Sequence, residues 1–183
     1  EISSKIFGGE GIGCSNKHYG EPWQLIQESL GRDMGDGWET ARHPDRPAEL
    51  VRDPKTDLVD SLLTDWAILK LGKVAPDGVS RIILDTKHFR GNYPESCLVE
   101  GCFAERGVTD ERIVHEGHWF TLIRRIRLAP DAEHVFDSDF DQIENASRAV
   151  SHIRVSIFPD GGLSRVRIYG QPLEEDSTMQ SNL

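Results

Sequence analysis

Cysteine is scarce in this 183-residue sequence, with only Cys14, Cys97 and Cys102. Their number is odd and no C-x-x-C pair occurs, so neither a zinc cage nor a disulfide framework is indicated. A reducing compartment is the simplest setting for such a chain. Long apolar runs are also missing, and no stretch approaches the roughly 20 apolar residues of a membrane span. Basic residues are outnumbered, 21 Lys and Arg against 31 Asp and Glu, for a formal charge of −10. A general nucleic-acid binder needs a basic face to neutralise phosphates, so that class is excluded. There is no G-x-S-x-G, Walker, Rossmann or H-E-x-x-H pattern. Covalent Ser catalysis, nucleotide hydrolysis, NAD chemistry and helix-borne zinc chemistry therefore lack support. The chain begins at Glu1 without a basic segment leading into an apolar run, so the expectation is a processed or truncated chain, or one piece of a longer polypeptide.

Period-two alternation dominates what is there. From Ser151 to Phe158, Ile153, Val155 and Ile157 face one way and His152, Arg154 and Ser156 the other, the pattern of a half-buried strand. Pro159-Asp160-Gly161-Gly162 supplies a turn, since Pro sets φ and Gly admits positive φ. A second strand is expected from Leu163 to Tyr169, with Val166 and Ile168 inward and Arg165, Arg167 and Tyr169 outward. Together these segments read as a hairpin. Asp65–Leu71, Arg81–Asp85, Ser96–Phe103 and Trp119–Leu128 are further strands, with a turn at Gly72–Gly78. Helical periodicity is scarce, and residues 23–30 and 57–64 offer at most a turn or short helix. Residues 44–64 carry Pro44, Pro47 and Pro54 among many charges and read as a long loop or insertion; 172–183 read as a flexible polar tail. Many short strands between turn signals point to one all-β domain over 1–171, an antiparallel β-sandwich or jelly roll.

Four clusters carry reactive side chains. Met34–Arg42 gathers Asp36, Trp38, Glu39 and Arg42 in a Gly-flexed loop. Such a loop can approach a ligand closely, or it is a turn whose Trp plugs the end of a sandwich. Asp85–Pro94 follows a strand directly and offers Asp85, Thr86, His88, Asn92 and Tyr93. His88 can transfer protons near neutral pH, with Asp85 orienting it or binding a metal; equally, Asp85 and Asn92 cap turns and His88 is merely exposed. His152, Arg154, Arg165 and Arg167 share the polar face of the expected hairpin. An Arg fork suits a carboxylate or a planar urea-like group, whereas a solvated face balancing nearby acids accounts for Arg167. His115-Glu116-Gly117-His118 is a weak metal pattern in a loop. The residues alone lead to a β-rich domain with a polar site containing Arg, His and Asp.

Four stretches go further as a set: Met34–Arg42 (M-G-D-G-W-E-T-A-R), Asp65–Gly72 (D-W-A-I-L-K-L-G), Ile83–Cys102 (with D-T-K-H-F-R-G-N-Y-P-E-S-C) and Ser151–Gly170 (S-H-I-R-V-S-I-F-P-D-G-G-L-S-R-V-R-I-Y-G). Together they resemble the allantoicase, or allantoate amidinohydrolase, family over about residues 7–171. The resemblance implies a jelly roll of the galactose-binding-like type. It also implies members with two homologous repeats, of which this chain holds one, closer to the second, C-terminal repeat. The expected partners are therefore the small molecule allantoate, a second repeat and a homo-oligomer, with no nucleic acid and no membrane. The 44–64 stretch is longer than the family pattern leads one to expect.

The implied reaction is allantoate plus water to ureidoglycolate plus urea, a step of purine breakdown. It needs a cation for the substrate carboxylate, amide-type partners for two ureido arms, and a proton donor for the leaving urea nitrogen. On this reading Arg42, Arg154 or Arg165 holds the carboxylate, and Thr86 and Asn92 bind a ureido arm. His88, with Asp85 or Glu39, transfers protons or activates water, while Trp38 and Tyr93 wall the pocket. No metal residue is assigned; the resemblance leaves room for a divalent ion such as manganese, with Asp36, Glu39, Asp85 and His88 as its ligands. The expected location is the cytosol, or a peroxisome, because Ser181-Asn182-Leu183 is close to S-K-L. Two other classes stay open: a non-catalytic jelly roll holding a small ligand or carbohydrate, and a structural repeat of the enzyme. A sugar binder calls for aromatic platforms rather than this set of arginines, which favours the hydrolase.

Overall fold

The computed structural model describes residues 1–173. Apart from residues 172 and 173, the tail expected over 172–183 lies outside the described residues, as does Ser181-Asn182-Leu183. Among the described residues ten strands form, every pair antiparallel: β1 (Glu10–Cys14), β2 (Trp38–Glu39), β3 (Asp65–Ala75), β4 (Arg81–Asp85), β5 (Ser96–Cys102), β6 (Phe120–Arg127), β7 (Glu133–Asp137), β8 (Val150–Phe158), β9 (Gly162–Leu163) and β10 (Arg165–Tyr169). One sheet runs β1-β3-β8-β5-β6 and the facing sheet β10-β4-β7, while β2 and β9 form a two-stranded ribbon.

The alternation of the sequence decides what fills the space between the sheets. Ala67, Leu69, Val99, Ile153, Val155 and Ile157 come from the larger sheet, and Ile82, Leu84, Phe136, Val166 and Ile168 from the smaller. All belong to one buried cluster, and each large apolar side chain taken from water contributes about 1.5–3 kcal/mol. This is the β-sandwich expected from the strand pattern. Among the described residues, no helix is long and apolar enough to cross a membrane, and all three cysteines are free.

The expected 151–169 hairpin does not form. β8 lies at the centre of the five-stranded sheet, between β3 and β5, whereas β10 pairs with β4 in the opposite sheet. The residues 159–164 cross from one sheet to the other. Inward-facing Ile153 and Val166 thus meet across the core rather than side by side; alternation reports which face is buried, not which strand is the neighbour. Two other elements differ from expectation. The turn after β3 comes late, because that strand continues through Gly72 to Ala75. Residues 110–116, which no sequence signal marked as helix and of which His115 and Glu116 were expected in a loop, form the helix α1 (Asp110–Glu116), capped by the Thr109 hydroxyl accepting Arg112 N–H. Residues 23–30 hold a 3₁₀ turn at Pro22–Ile26, and 44–64 runs without helix or strand apart from one bridge, Arg52 to Val59.

Candidate active site

At one end of the sandwich the β2–β9 ribbon meets the β4–β5 loop and the crossover 159–164. The ribbon is short because it is built at a close approach: a methyl group on Gly162 would lie 2.0 Å from the Phe89 ring, so only glycine fits there. Gly162 is the register partner of Glu39, and its N–H donates to the Asn92 carbonyl at 2.9 Å. One residue earlier, the Gly161 carbonyl accepts Thr40 N–H at 2.9 Å, and Gly161 N–H donates to Thr40 Oγ1 at 3.1 Å. These bonds align the Asn92 amide, which donates to Glu39 Oε1 at 2.6 Å. Both side chains are half-buried, so the pair is fixed yet reachable. Arg42 continues past β2 and is exposed, with one long bond to the Pro47 carbonyl at 3.3 Å.

The turn after β4 shapes the second part. The Asp85 carboxylate is 2 % exposed and accepts Lys87 N–H at 2.7 Å. Burial pushes its pKa up, against the smaller opposing effects of that N–H and of the Lys87 charge. His88 follows with φ of 73°, a left-handed conformation unusual for a residue with a Cβ. It is held there by its N–H, which donates to Asp131 Oδ1 at 2.8 Å, and by its ring, whose Nε2 lies 2.7 Å from the Gly31 carbonyl. A carbonyl only accepts, so Nε2 carries the proton and Nδ1 is the acceptor of the neutral ring. Phe89, next in the chain, packs against Gly162, the register partner of Glu39.

The remaining expected site residues lie elsewhere or serve the scaffold. Thr86 is fully buried, its hydroxyl bonded to the Ala129 and Ala132 carbonyls. Trp38 is fully buried in the core, with Nε1 donating to the Asn16 carbonyl, and Tyr93 packs on the core's margin. Arg165 is fully buried and donates to the carbonyls of Ser29, Asp36 and Ser164 and to Asp36 Oδ2. Burial alone would raise the pKa of Asp36, but Arg32 N–H and the Arg165 guanidinium hold it below the usual carboxylate range. Arg154 sits mid-strand on the outer face of the large sheet, paired with Glu100 at 2.7 Å and stacked on Trp119. It is four residues, about 13 Å of strand, from the end of β8. Among the described residues no hydrogen bond joins His88 to Asp85 or Glu39.

Asp36, Glu39, Asp85 and His88 were the candidate metal ligands. Each is engaged with a different partner, and among the described residues no group of three or more His, Cys, Asp or Glu side chains converges to hold an ion. The donor set does not fit a metal, and no step is built on one. A cavity of about 500 Å³, lined in part by Cys102, Arg112, Glu116 and His118, lies at the opposite end of β5 from Asn92. The site also holds groups that the motifs did not single out, namely Asp131, Asp160 and the Gly31 carbonyl. Asp160 is visible in the sequence only as part of a turn; a backbone carbonyl has no sequence signal at all.

Comparison with known proteins places these motifs. A family described as the allantoicase repeat matches residues 1–173. A probable allantoicase of Pseudomonas fluorescens is 36% identical over 171 residues, covering 93% of this chain and 45% of the relative. One from Pseudomonas paraeruginosa is 37% identical over 173 residues, covering 94% and 45%. The chain thus spans less than half the length of the curated relatives it matches. The crystal structure of allantoicase from Saccharomyces cerevisiae superposes with a TM-score of 0.70 at 32% identity, covering 93% of this chain and 43% of that one. The family 32 CBM of Clostridium perfringens NanJ, in complex with galactose, has a TM-score of 0.55 at 9% identity, covering 91% and 96%. That last likeness shows the fold alone: a jelly roll of the galactose-binding-like type.

Proposed function

The chain belongs to the allantoicase family, and from that premise we propose that it hydrolyses allantoate to ureidoglycolate and urea through the end of the sandwich built on Glu39, Asn92 and His88. The observation that carries this reading is the 2.6 Å contact between Asn92 and Glu39, which brings two of the family's motifs together in one half-buried place. Allantoate carries a carboxylate and two ureido groups on one carbon. Arg42, exposed three residues after Glu39, takes the carboxylate. The Asn92 carbonyl oxygen and the second Glu39 oxygen accept ureido N–H groups. As the imidazolium, with Nε2–H kept on the Gly31 carbonyl, His88 gives its Nδ1 proton to the urea nitrogen as the carbon–nitrogen bond breaks, and Glu39 takes a proton from the water that supplies the new hydroxyl. Asp85 shapes the turn that presents His88, and Phe89 under Gly162 keeps the ribbon rigid. Thr86, Trp38, Tyr93 and Arg165 support these loops from behind. Because the chain spans 45% of its relatives, we infer that it works beside a second repeat, and we add to this reading a homo-oligomer located in the cytosol. Calorimetric titration with allantoate tests the reading: heat of binding that falls about tenfold in affinity for Arg42→Ala supports it, and heat with galactose but not allantoate would replace it with a carbohydrate-binding function.

A further inference from the structure

Segment 44–64 joins β2 to β3 and holds two arginines, Arg46 and Arg52. Each faces a buried carboxylate outside the segment. Arg46 Nη1 lies 2.5 Å from Asp160 Oδ1, and the other Asp160 oxygen accepts His43 N–H at 2.8 Å. Arg52 Nη1 is 3.6 Å from Glu95 Oε1, and Arg125 Nη2 is 3.6 Å from Glu95 Oε2. The Glu95 carboxylate has no hydrogen-bond partner among the described residues, so these two charges are what balance it. Arg125 also donates to the carbonyls of Val59 and Ser61, tying the segment to the large sheet.

The two carboxylates lie in the two loops that set the Asn92–Glu39 contact. Asp160, 4 % exposed, immediately precedes the Gly161-Gly162 pair that bonds Thr40 and Asn92. Glu95 follows Asn92 by three residues. A carboxylate this buried is strongly unfavourable once its cationic partner is removed. Without Arg46, the 159–162 loop would shift to carry Asp160 toward water. A displacement of about 1 Å there is enough to break a hydrogen bond and to misalign reacting groups.

We propose that Arg46, acting through Asp160, is a positioning residue for Glu39 and Asn92, with Arg52 and Glu95 bracing the same loops. The segment that looks like an insertion in the sequence is then a working part of the site. The kinetic side of this inference rests on the proposed hydrolysis; the structural side does not. The test follows the Asn92 side-chain amide of the full chain by ¹⁵N NMR, its hydrogen-bonded resonance identified by its loss in Glu39→Ala. Arg46→Ala and Asp160→Asn are expected to move that amide to the position it has in Glu39→Ala, and Arg46→Lys, which keeps the charge, to restore it at least in part. In allantoate turnover, Arg46→Ala should lower kcat/KM at least about tenfold, with Arg46→Lys recovering part of it. If Arg46→Ala does not fold, Asp160→Asn, which also breaks the pair, gives the reading in its place. An Asn92 amide that stays in its wild-type position in the folded variants, even with a lowered Tm, overturns the proposal and leaves Arg46 a stabilising residue only. If the wild-type chain neither turns over nor binds allantoate, the functional reading fails by itself and the amide shifts alone decide this inference.

Discussion

The Asn92 side-chain amide donates to Glu39 Oε1 at 2.6 Å, joining the β4–β5 loop to β2. Replacing that donor by an acceptor is therefore informative. Asn92→Asp opposes two carboxylates at the same place, and their repulsion raises the pKa of the pair. Allantoate affinity should fall at least about tenfold at neutral pH, the equivalent of one pKa unit. It should recover on acidification as the two carboxylates come to share a proton. Calorimetry across a pH series reads both.

Asp85 links the site to stability. Its pKa is raised by burial, so the fold binds its proton more tightly than the unfolded chain does. Ionisation then subtracts from stability as pH rises through the folded-state value. Asp85→Asn keeps an oxygen for Lys87 N–H and carries no charge. Its Tm should exceed that of the wild type near neutral pH, and the difference should shrink as pH falls through the range where Asp85 takes up its proton. Thermal unfolding at several pH values measures this.

His88 separates backbone from imidazole. Its φ of 73° is tolerated by Asn far better than by Ala. Both variants, His88→Asn and His88→Ala, lose the ring's bond to the Gly31 carbonyl, and His88→Ala should be the less stable of the two by about 1 kcal/mol. Turnover of allantoate should drop about 100-fold in both, because each lacks the proton-transfer group. Denaturation curves and initial rates on the same samples distinguish the two effects.

Arg165 and Arg154 were equivalent candidates by pattern and differ by place. Arg165→Met leaves the Asp36 carboxylate buried without its guanidinium, and stability should fall by about 3–5 kcal/mol. Arg154→Ala breaks a pair with Glu100 that stays partly exposed. It should lower stability by no more than about 1 kcal/mol and leave allantoate affinity unchanged. Guanidinium denaturation and the binding titration check the contrast.

The faces of the strands were legible in the sequence because burial imposes a period of two: Ile153, Val155 and Ile157 point inward as the alternation demands. Strand neighbours were not. Val166 and Ile168 have the same pattern whether β10 pairs with β8 or faces it across the core, and only the two sheets' packing decides. The helix at 110–116 was missed because it is two turns long and buries only Ile113, too few positions to show a 3.6-residue period. Within the site, Glu39 and Asn92 stood out by residue type, but their contact depends on Gly162, whose role is the absence of a side chain against Phe89. Arg165 looked like an anion fork and is a buried brace, since a sequence does not reveal that carbonyls will surround a guanidinium. Asp160 was hidden in turn chemistry, and its partner Arg46 in a segment without periodicity.

Urea release from allantoate by the folded 183-residue chain, compared with Glu39→Gln, tests the account most directly. The account predicts allantoate-dependent urea from the wild type and a rate at least about 100-fold lower in the variant. A folded wild-type chain that neither releases urea nor binds allantoate, or a Glu39→Gln variant that releases urea as fast as the wild type, would contradict the assignment of the chemistry to this end of the sandwich.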